Sequence, residues 1–335
     1  MTMETKTLAP AIEVAGLRKS FDDNDVLRGI NLTVPAGSVY ALLGPNGAGK
    51  TTVVRILTTL ITGDGGTATV LGHDVSTNPN AIRLRIGVTG QFSAVDELLT
   101  GRENLQLMAD LNHLPRQQGR ARAQELLERF DLIDAADRGS ATYSGGMRRR
   151  LDLAMTLVAS PRLIFLDEPS TGLDPRSRRE LWQIIRELIN DGVTIFLTTQ
   201  YLEEADELAH QVGVLDGGRL VAEGTPAELK GQVPGGTVEV TYTDSAALAR
   251  AAGLIEGAFA DQESLTLSVP HDGSLAALQQ LVGRLDNEAV AGLEVRTPDL
   301  DDVFLALTGH RPESADDSAE TSNTTQHPTT EEVAR

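Results

Sequence analysis

Short, almost uninterrupted apolar runs alternate with amphipathic segments between residues 11 and 230. The runs Val39–Leu43, Leu163–Leu166 and Val193–Leu197 predict strands that are covered on both faces, because such strands have no solvent-facing positions for polar side chains. Between the last two runs, helix-spaced apolar positions occur at Leu181, Ile184, Ile185 and Leu188. Strands that alternate with helices in this way predict an α/β fold around a mainly parallel sheet.

Two further patterns complete this first domain, residues 11–230. Ile12–Leu17 and Leu32–Val34 predict strands ahead of the first buried run. From about residue 92 to residue 160 the spacing of apolar positions becomes helical, which predicts an inserted helical subdomain. Its apolar faces are assigned to Leu98, Leu105, Leu107, Leu126, Leu127 and Phe130.

A domain boundary is predicted at residues 231–236, which contain three glycines and a proline. A small α+β domain is expected at residues 231–310, with each strand followed by a helix. Residues 311–335 contain no large apolar residue and predict a disordered acidic tail. The strands of the small domain are predicted at Val238–Tyr242, Leu265–Val269 and Leu293–Arg296.

The last predicted helix of the small domain has one apolar stripe. Its members are Leu300, Val303, Phe304 and Leu307. A stripe of this spacing packs on another surface, either the domain's own sheet or a second subunit. The small domain is therefore expected either to dimerise or regulate, or only to stabilise the chain.

Composition narrows the class of protein. The chain has 335 residues, a net charge of −19 and no cysteine, which excludes disulfides and thiolate zinc sites and disfavours nucleic-acid binding. The apolar runs are far shorter than the roughly 20 residues that a membrane-spanning helix needs. Residues 1–13 lack the basic flank and apolar block of a secretion signal, so a cytoplasmic location is expected.

A phosphate loop follows the first buried run and precedes a predicted helix. Backbone N–H groups of such a loop point at nucleotide phosphates, Lys50 reaches the outer phosphates and the Thr51 hydroxyl binds Mg²⁺. Asn46 stands where a dinucleotide-binding fingerprint needs glycine, and the sequence has no Asn-Lys-x-Asp guanine motif, so ATP is the expected nucleotide. The predicted ATP-binding residues here are Gly44, Pro45, Asn46, Gly47, Ala48, Gly49, Lys50, Thr51 and Thr52.

Two carboxylates end the second buried run. Because ligands of open α/β sheets bind beyond the carboxyl ends of the strands, Asp167 is expected to meet Mg²⁺. Glu168 comes next and is placed to accept a proton from the water that attacks the terminal phosphate. Solvated acids at a capped strand end are the alternative, which the nearby phosphate loop disfavours.

A second anion site is predicted where Ser144, Gly145 and Gly146 open a helix. Three arginines follow at positions 148–150, at the helix end where the macrodipole disfavours cations. They are therefore either simply solvated or serve a nearby anion.

The order of these motifs resembles the ATP-binding cassette of ABC transporters over residues 11–230. The shared elements are the phosphate loop, Gln91, Ser-Gly-Gly, Leu-Asp-Glu-Pro and Gly172-Leu173-Asp174. The resemblance implies a P-loop cassette with an antiparallel β subdomain and an inserted helical subdomain. It also implies a head-to-tail dimer in which each ATP lies between one phosphate loop and the other subunit's Ser-Gly-Gly.

The resemblance assigns further roles by position. Phe21 matches the aromatic residue that stacks on adenine, although a core phenylalanine is the alternative. Gln91 matches the glutamine that links Mg²⁺ to the membrane partner, and Asp174 matches the aspartate that crosses the dimer interface. Gln200 stands where most cassettes have a histidine, so it positions the phosphate or the water without carrying a proton.

The combination of Tyr143–Met147, Leu197–Asp206 and Leu300–Gly309 resembles one branch of the family, the ATP-binding subunits of daunorubicin/doxorubicin-type drug-resistance exporters. This resemblance implies a separate membrane permease, which binds the cargo, and a peripheral location on the cytoplasmic face of the membrane. Export of a lipid, polyketide, peptide or ion is the alternative. A soluble ABC ATPase that acts on ribosomes or DNA is disfavoured, because the sequence has no second phosphate loop and no sustained heptad run.

Overall fold

The computed structural model describes residues 9–90, 93–232, 236–255, 257–262, 264–271, 275–285, 289–296 and 298–308. The chain divides into two compact units, the first ending at Pro226 and the second beginning at Ala227. Gln91 and the predicted tail, residues 311–335, lie outside the described residues. Within the described part of the chain, no helix has the length and apolar character needed to span a membrane.

The strands are β1 Ile12–Phe21, β2 Asn24–Val34, β3 Val39–Leu43, β4 Gly65–Val70, β5 His73–Asp74, β6 Ile86–Thr89, β7 Leu163–Asp167, β8 Thr194–Thr199, β9 Gln211–Asp216, β10 Arg219–Gly224, β11 Gly236–Tyr242, β12 Phe259–Asp261, β13 Thr266–His271 and β14 Val290–Arg296. The α-helices are α1 Lys50–Leu57, α2 Pro79–Arg83, α3 Gly101–Leu111, α4 Arg116–Arg129, α5 Gly145–Thr156, α6 Pro175–Asn190, α7 Leu202–Leu208, α8 Pro226–Lys230, α9 Ser245–Leu254, α10 Leu275–Val282 and α11 Leu300–Thr308.

A six-stranded sheet of order β10-β9-β3-β8-β7-β6 forms the centre of the first unit. Strands β3, β7 and β8 are buried along their whole length, which explains why their sequences carry almost no polar positions. They run parallel, with Leu43 opposite Thr199 and Asp167 opposite Thr198. The carboxyl ends of the three strands therefore meet at one edge of the sheet.

An antiparallel sheet of order β2-β1-β4-β5 lies in the same unit. Strands β1 and β2 are much longer than the predicted Ile12–Leu17 and Leu32–Val34. The prediction stopped early because irregular register along β1 breaks the alternation of apolar and polar positions. The full length of β1 carries the chain as far as Phe21.

The helical subdomain contains α3, α4 and α5, and most of its predicted apolar positions are buried. Two were wrong. Leu98 is 93% exposed and Leu107 is 41% exposed, so neither belongs to the core. Leu98 precedes α3, and the helical spacing used for the prediction does not apply there.

The second unit contains a sheet of order β12-β13-β11-β14, with a core that includes residues of α9 and α10. The short strand β12 was not predicted. Of the predicted stripe on α11, Leu300, Val303 and Phe304 are buried within this chain, whereas Leu307 is 38% exposed. A second subunit is therefore not needed to cover most of the stripe.

Candidate active site

A cavity of about 410 Å³ opens where the phosphate loop, residues 44–51, joins β3 to α1. Phe21 from β1 and Glu168 from the end of β7 reach the same cavity, so three parts of the first unit contribute to one site. The cavity is lined by Phe21, Val26, Pro45, Asn46, Gly47, Gly49, Lys50, Thr51, Thr52 and Glu168.

Backbone geometry explains the glycines of the loop. Gly47 and Gly49 have φ of 81° and 108°, a region that side chains other than glycine rarely adopt. A Cβ atom on Gly49 would lie 2.8 Å from Leu27 Cδ2, whereas one on Gly44 would lie 2.3 Å from the carbonyl oxygen of Leu215. Gly44 thus lets the loop pack on β9, and the side chain of Ala48 is buried.

Lys50 begins α1, and its ammonium group is held at the loop. Nζ donates to the carbonyl oxygens of Gly44 at 2.7 Å and Pro45 at 3.1 Å, and it lies 3.3 Å from Glu168 Oε1. Burial lowers the pKa of Lys50, and the negative charges of Glu168 and Asp167 oppose that shift. The cavity therefore combines a cation, the predicted base and the main chain of a phosphate loop.

Asp167 ends β7 and has two hydroxyl neighbours. Its Oδ1 accepts from Thr51 Oγ1 at 3.3 Å and, in a short bond, from Thr198 Oγ1. Thr51 and Asp167 thus offer two oxygen donors side by side at the edge of the cavity, and Mg²⁺ prefers oxygen ligands of this type. The described residues therefore fit the predicted metal site.

The end of β8 connects both halves of the site, which the sequence analysis missed. The N–H of Gly44 donates to the carbonyl oxygen of Thr199 at 3.3 Å, and the N–H of Glu168 donates to the carbonyl oxygen of Thr198 at 3.1 Å. Glu168 has a positive φ of 48°, an unusual conformation for a residue other than glycine. The available signal was the pair of hydroxyl residues at the end of an otherwise apolar central strand.

Gln200 follows β8 directly, and β8 lies between β3 and β7 in the sheet. It is therefore placed at the same edge as the phosphate loop and Asp167, although it does not line the cavity described above. Phe21 does line that cavity and is 42% exposed, so the alternative of a core phenylalanine was wrong. The Lys19 ammonium lies 5.1 Å from the centre of the Phe21 ring.

The predicted second anion site, Ser144–Gly146, opens α5 and is not among the cavity-lining residues. Ser144 Oγ accepts from the N–H of Met147 at 3.2 Å, and a Cβ atom on Gly145 would meet no neighbour within 4 Å. A Cβ atom on Gly146, in contrast, would lie 2.4 Å from Ser177 Oγ. The space around Gly145 at the N-terminus of α5 is therefore open, whereas the lack of a side chain at Gly146 permits close packing of α5 on α6.

The three arginines that follow are paired within the chain rather than merely solvated. Arg148 lies 2.9 Å from Glu97, and Arg150 lies 3.5 Å from Asp131. Arg149 is nearly buried and contacts Asp152 at 3.2 Å.

Asp174 caps the N-terminus of α6 within its own chain. Its Oδ1 accepts from the N–H groups of Arg176 and Ser177 at 3.0 Å each, and its Oδ2 accepts from Ser177 Oγ at 2.6 Å. The Ser177 hydroxyl is the main reason why the pKa of Asp174 is lowered. This capping role accounts for the aspartate at this position without a dimer, and its predicted role at an interface stays a prediction.

Comparison with known proteins bears on this site and on the whole chain. The ABC transporter family profile matches residues 27–171. The daunorubicin resistance ATP-binding protein DrrA2 of Streptomyces coeruleorubidus is 48% identical, over 91% of this chain and 97% of its own length. This chain belongs to the ABC transporter family. It is an ATP-binding subunit of that family, and the family's hydrolysis of ATP is coupled to transport.

One more distant relative and one solved structure are also similar to this ABC protein. The Nod factor export ATP-binding protein I of Ralstonia nicotianae is 38% identical over 90% of this chain and 94% of its own length. A solved ATP-binding subunit of an ABC transporter superposes with a TM-score of 0.60 and 28% identity, covering 66% of this chain and 92% of its own. The predicted P-loop cassette fold is thus confirmed.

Proposed function

We propose that this ABC subunit energises a separate membrane permease that exports drugs such as anthracycline-type antibiotics. The observation that carries the proposal is the 48% identity to a daunorubicin resistance ATP-binding protein over almost the whole length of both chains. A peripheral location on the cytoplasmic face of the membrane belongs to the same proposal. Another cargo is the second candidate, because the 38% identical relative is named for Nod factor export.

Residues that line the cavity and residues predicted beside it have separate roles in this proposal. Lys50 and the loop N–H groups bind the phosphates of ATP, and Phe21 stacks on the adenine. Glu168 accepts the proton of the attacking water, and Gln200 positions the terminal phosphate or that water. Thr51 and Asp167, together with Gln91, would hold Mg²⁺, and the bound ion would neutralise charge on the phosphate oxygens.

The site is completed by a second copy of the chain. Ser144 and Gly145 are exposed at the start of α5 and do not line the cavity of their own chain. A helix N-terminus with exposed N–H groups and no side chain in the way attracts a phosphate. A head-to-tail dimer brings this surface of one subunit to the phosphate loop of the other.

Exposed leucines around Gln91 in sequence support a permease contact. Leu84 is 81% exposed and Leu98 is 93% exposed, so both side chains are available to a partner, and burying a leucine contributes about 1.5–3 kcal/mol. We predict that Leu98→Asp weakens co-purification with the permease at least about 10-fold, since the loss of one buried leucine costs about 1.5–3 kcal/mol. The ATPase activity of the subunit alone stays unchanged. Leu60→Asp, which alters a leucine that is 64% exposed, is the control.

Transport is tested in a drug-sensitive host that expresses the chain together with the multi-spanning protein encoded beside it. Reduced accumulation of daunorubicin, lost with Lys50→Ala, is the expected result. Unchanged daunorubicin accumulation, with reduced accumulation of a lipid or polyketide, would replace the drug by the other cargo. The absence of any multi-spanning partner would contradict the proposal.

A further inference from the structure

Arg149 lies one turn into α5, and its guanidinium group reaches two loops of the active site. Nε donates to the carbonyl oxygen of Pro169 at 2.9 Å, and Nη1 donates to the carbonyl oxygen of Gly90 at 3.1 Å. Pro169 directly follows Glu168, and Gly90 directly precedes Gln91. One side chain of the helix that begins at Ser144 thus holds the main chain beside two predicted functional residues.

Asp152 lies one turn further along α5 and completes the connection. Its Oδ2 accepts from Arg149 Nη1 at 3.2 Å, and its Oδ1 accepts from the N–H of Ala94 at 2.9 Å. The two side chains therefore attach Gly90 and Ala94, on either side of Gln91 in the sequence, to one helix.

A contribution to the stability of the fold does not by itself explain the buried ion pair of Arg149 and Asp152. The side chains of Arg149 and Asp152 are 11% and 3% exposed, so both charges have lost most of their hydration. Desolvation by burial lowers the pKa of Arg149 and raises the pKa of Asp152. Among the described residues, Arg149 Nη2 is buried without a hydrogen-bond partner, which adds a further cost. Apolar side chains of similar volume would stabilise such a place at least as well.

We propose that Arg149 and Asp152 are positioning residues that link the start of α5, where Ser144 and Gly145 lie, to the main chain beside Gln91 and Glu168. This inference rests on the proposed roles of Ser144, Gln91 and Glu168. A shift of α5 moves the carbonyl oxygens and the N–H group that the pair holds. Binding of a phosphate at the start of the helix is thereby coupled to the geometry of hydrolysis.

The test compares Arg149→Gln and Asp152→Asn in the full-length chain. Both variants are expected to keep the dissociation constant for ATP within about 3-fold of the wild type, because neither side chain lines the cavity. The kcat for ATP hydrolysis is expected to fall about 10- to 100-fold, as it does when other groups that orient a site are removed. The double variant loses no more than the worse single variant, since the two side chains act as a unit. Arg148→Gln is the control. Arg148 is on the same helix as Arg149 and forms an ion pair with Glu97 at the surface, so this variant should keep the wild-type kcat.

Three results would overturn the proposal. A wild-type kcat in Arg149→Gln, a kcat that falls only in proportion to the unfolded fraction, or parallel losses of kcat and ATP affinity would each indicate a merely structural pair. Where Arg149→Gln does not fold, Asp152→Asn carries the same test, because it keeps the shape and the acceptor for Ala94. Glu168→Gln distinguishes failure of the proposed catalytic site from failure of the positioning role. A fully active Glu168→Gln variant would refute the proposed site. An inactive Glu168→Gln variant together with a fully active Arg149→Gln variant would refute only the positioning role of Arg149 and Asp152.

Discussion

Replacing Thr198 tests how the fold holds Asp167, the carboxylate proposed to bind Mg²⁺. Thr198 is fully buried at the end of β8, where its hydroxyl donates to Asp167 and accepts from the N–H of Glu168 at 3.2 Å. The substitution Thr198→Val keeps the shape of the side chain and removes both bonds. Glu168 retains the main-chain bond to the carbonyl oxygen of Thr198, so the loss falls mainly on Asp167.

The magnitude follows from the type of bond. A hydrogen bond to a charged group contributes about 1.5–3 kcal/mol. About 1.4 kcal/mol corresponds to a factor of ten, so the Mg²⁺ concentration for half-maximal ATPase activity should rise about 10- to 100-fold. The assay is steady-state ATPase activity at saturating ATP over a Mg²⁺ titration.

Thr194→Val is the matched control, because it removes a hydroxyl from the opposite end of the same strand. Thr194 is also buried, and its Oγ1 accepts from the N–H of Gly37 at 2.9 Å, away from the carboxyl end of the sheet. The control should lose stability without changing the Mg²⁺ requirement. Equal Mg²⁺ requirements in Thr198→Val and the wild type would refute the argument that the threonine orients Asp167.

Substitutions at Gln200 and at Gly49, with Gly145 as a control, test the site and the phosphate loop. Gln200→His should keep ATPase activity and Gln200→Ala should lose most of it, because a side chain that only positions can be replaced by another hydrogen-bonding group; a fully active alanine variant would remove Gln200 from the site. Gly49→Ala should lower the free energy of unfolding by about 1–3 kcal/mol in urea denaturation, because Gly49 has a φ of 108° and a Cβ atom would crowd Leu27. Gly145→Ala should change it by less than about 0.5 kcal/mol, and equal losses in the two variants would contradict the strain argument.

The parts of the fold that sequence reasoning found are those with a strong local pattern. The fully apolar runs before the phosphate loop and before Asp167 could only be buried parallel strands, and the structure has β3 and β7 there. The pattern failed where register is irregular, as along β1, and where an apolar residue stands outside a helix, as at Leu98.

The site shows the same division. Lys50, Asp167 and Glu168 were predicted from motif spacing and strand ends, and the structure places Lys50 beside Glu168 and Asp167 beside Thr51 of the same loop. The roles of Thr198 and Arg149 depend on contacts between segments far apart in the chain, and no local pattern predicts such contacts. The proposed dimer has no separate signal at Asp174 and Ser144, because each residue already caps the N-terminus of a helix in its own chain.

The most direct test of the proposed shared ATP site is the mass of the Glu168→Gln variant in solution, measured by sedimentation with and without ATP and Mg²⁺. The variant should be monomeric without nucleotide and dimeric with ATP, because ATP that is not hydrolysed would join the phosphate loop of one subunit to Ser144 and Gly145 of the other. Introducing Ser144→Arg into the same variant should abolish the dimer while leaving ATP bound. A Glu168→Gln variant that binds ATP and stays monomeric would contradict the shared site.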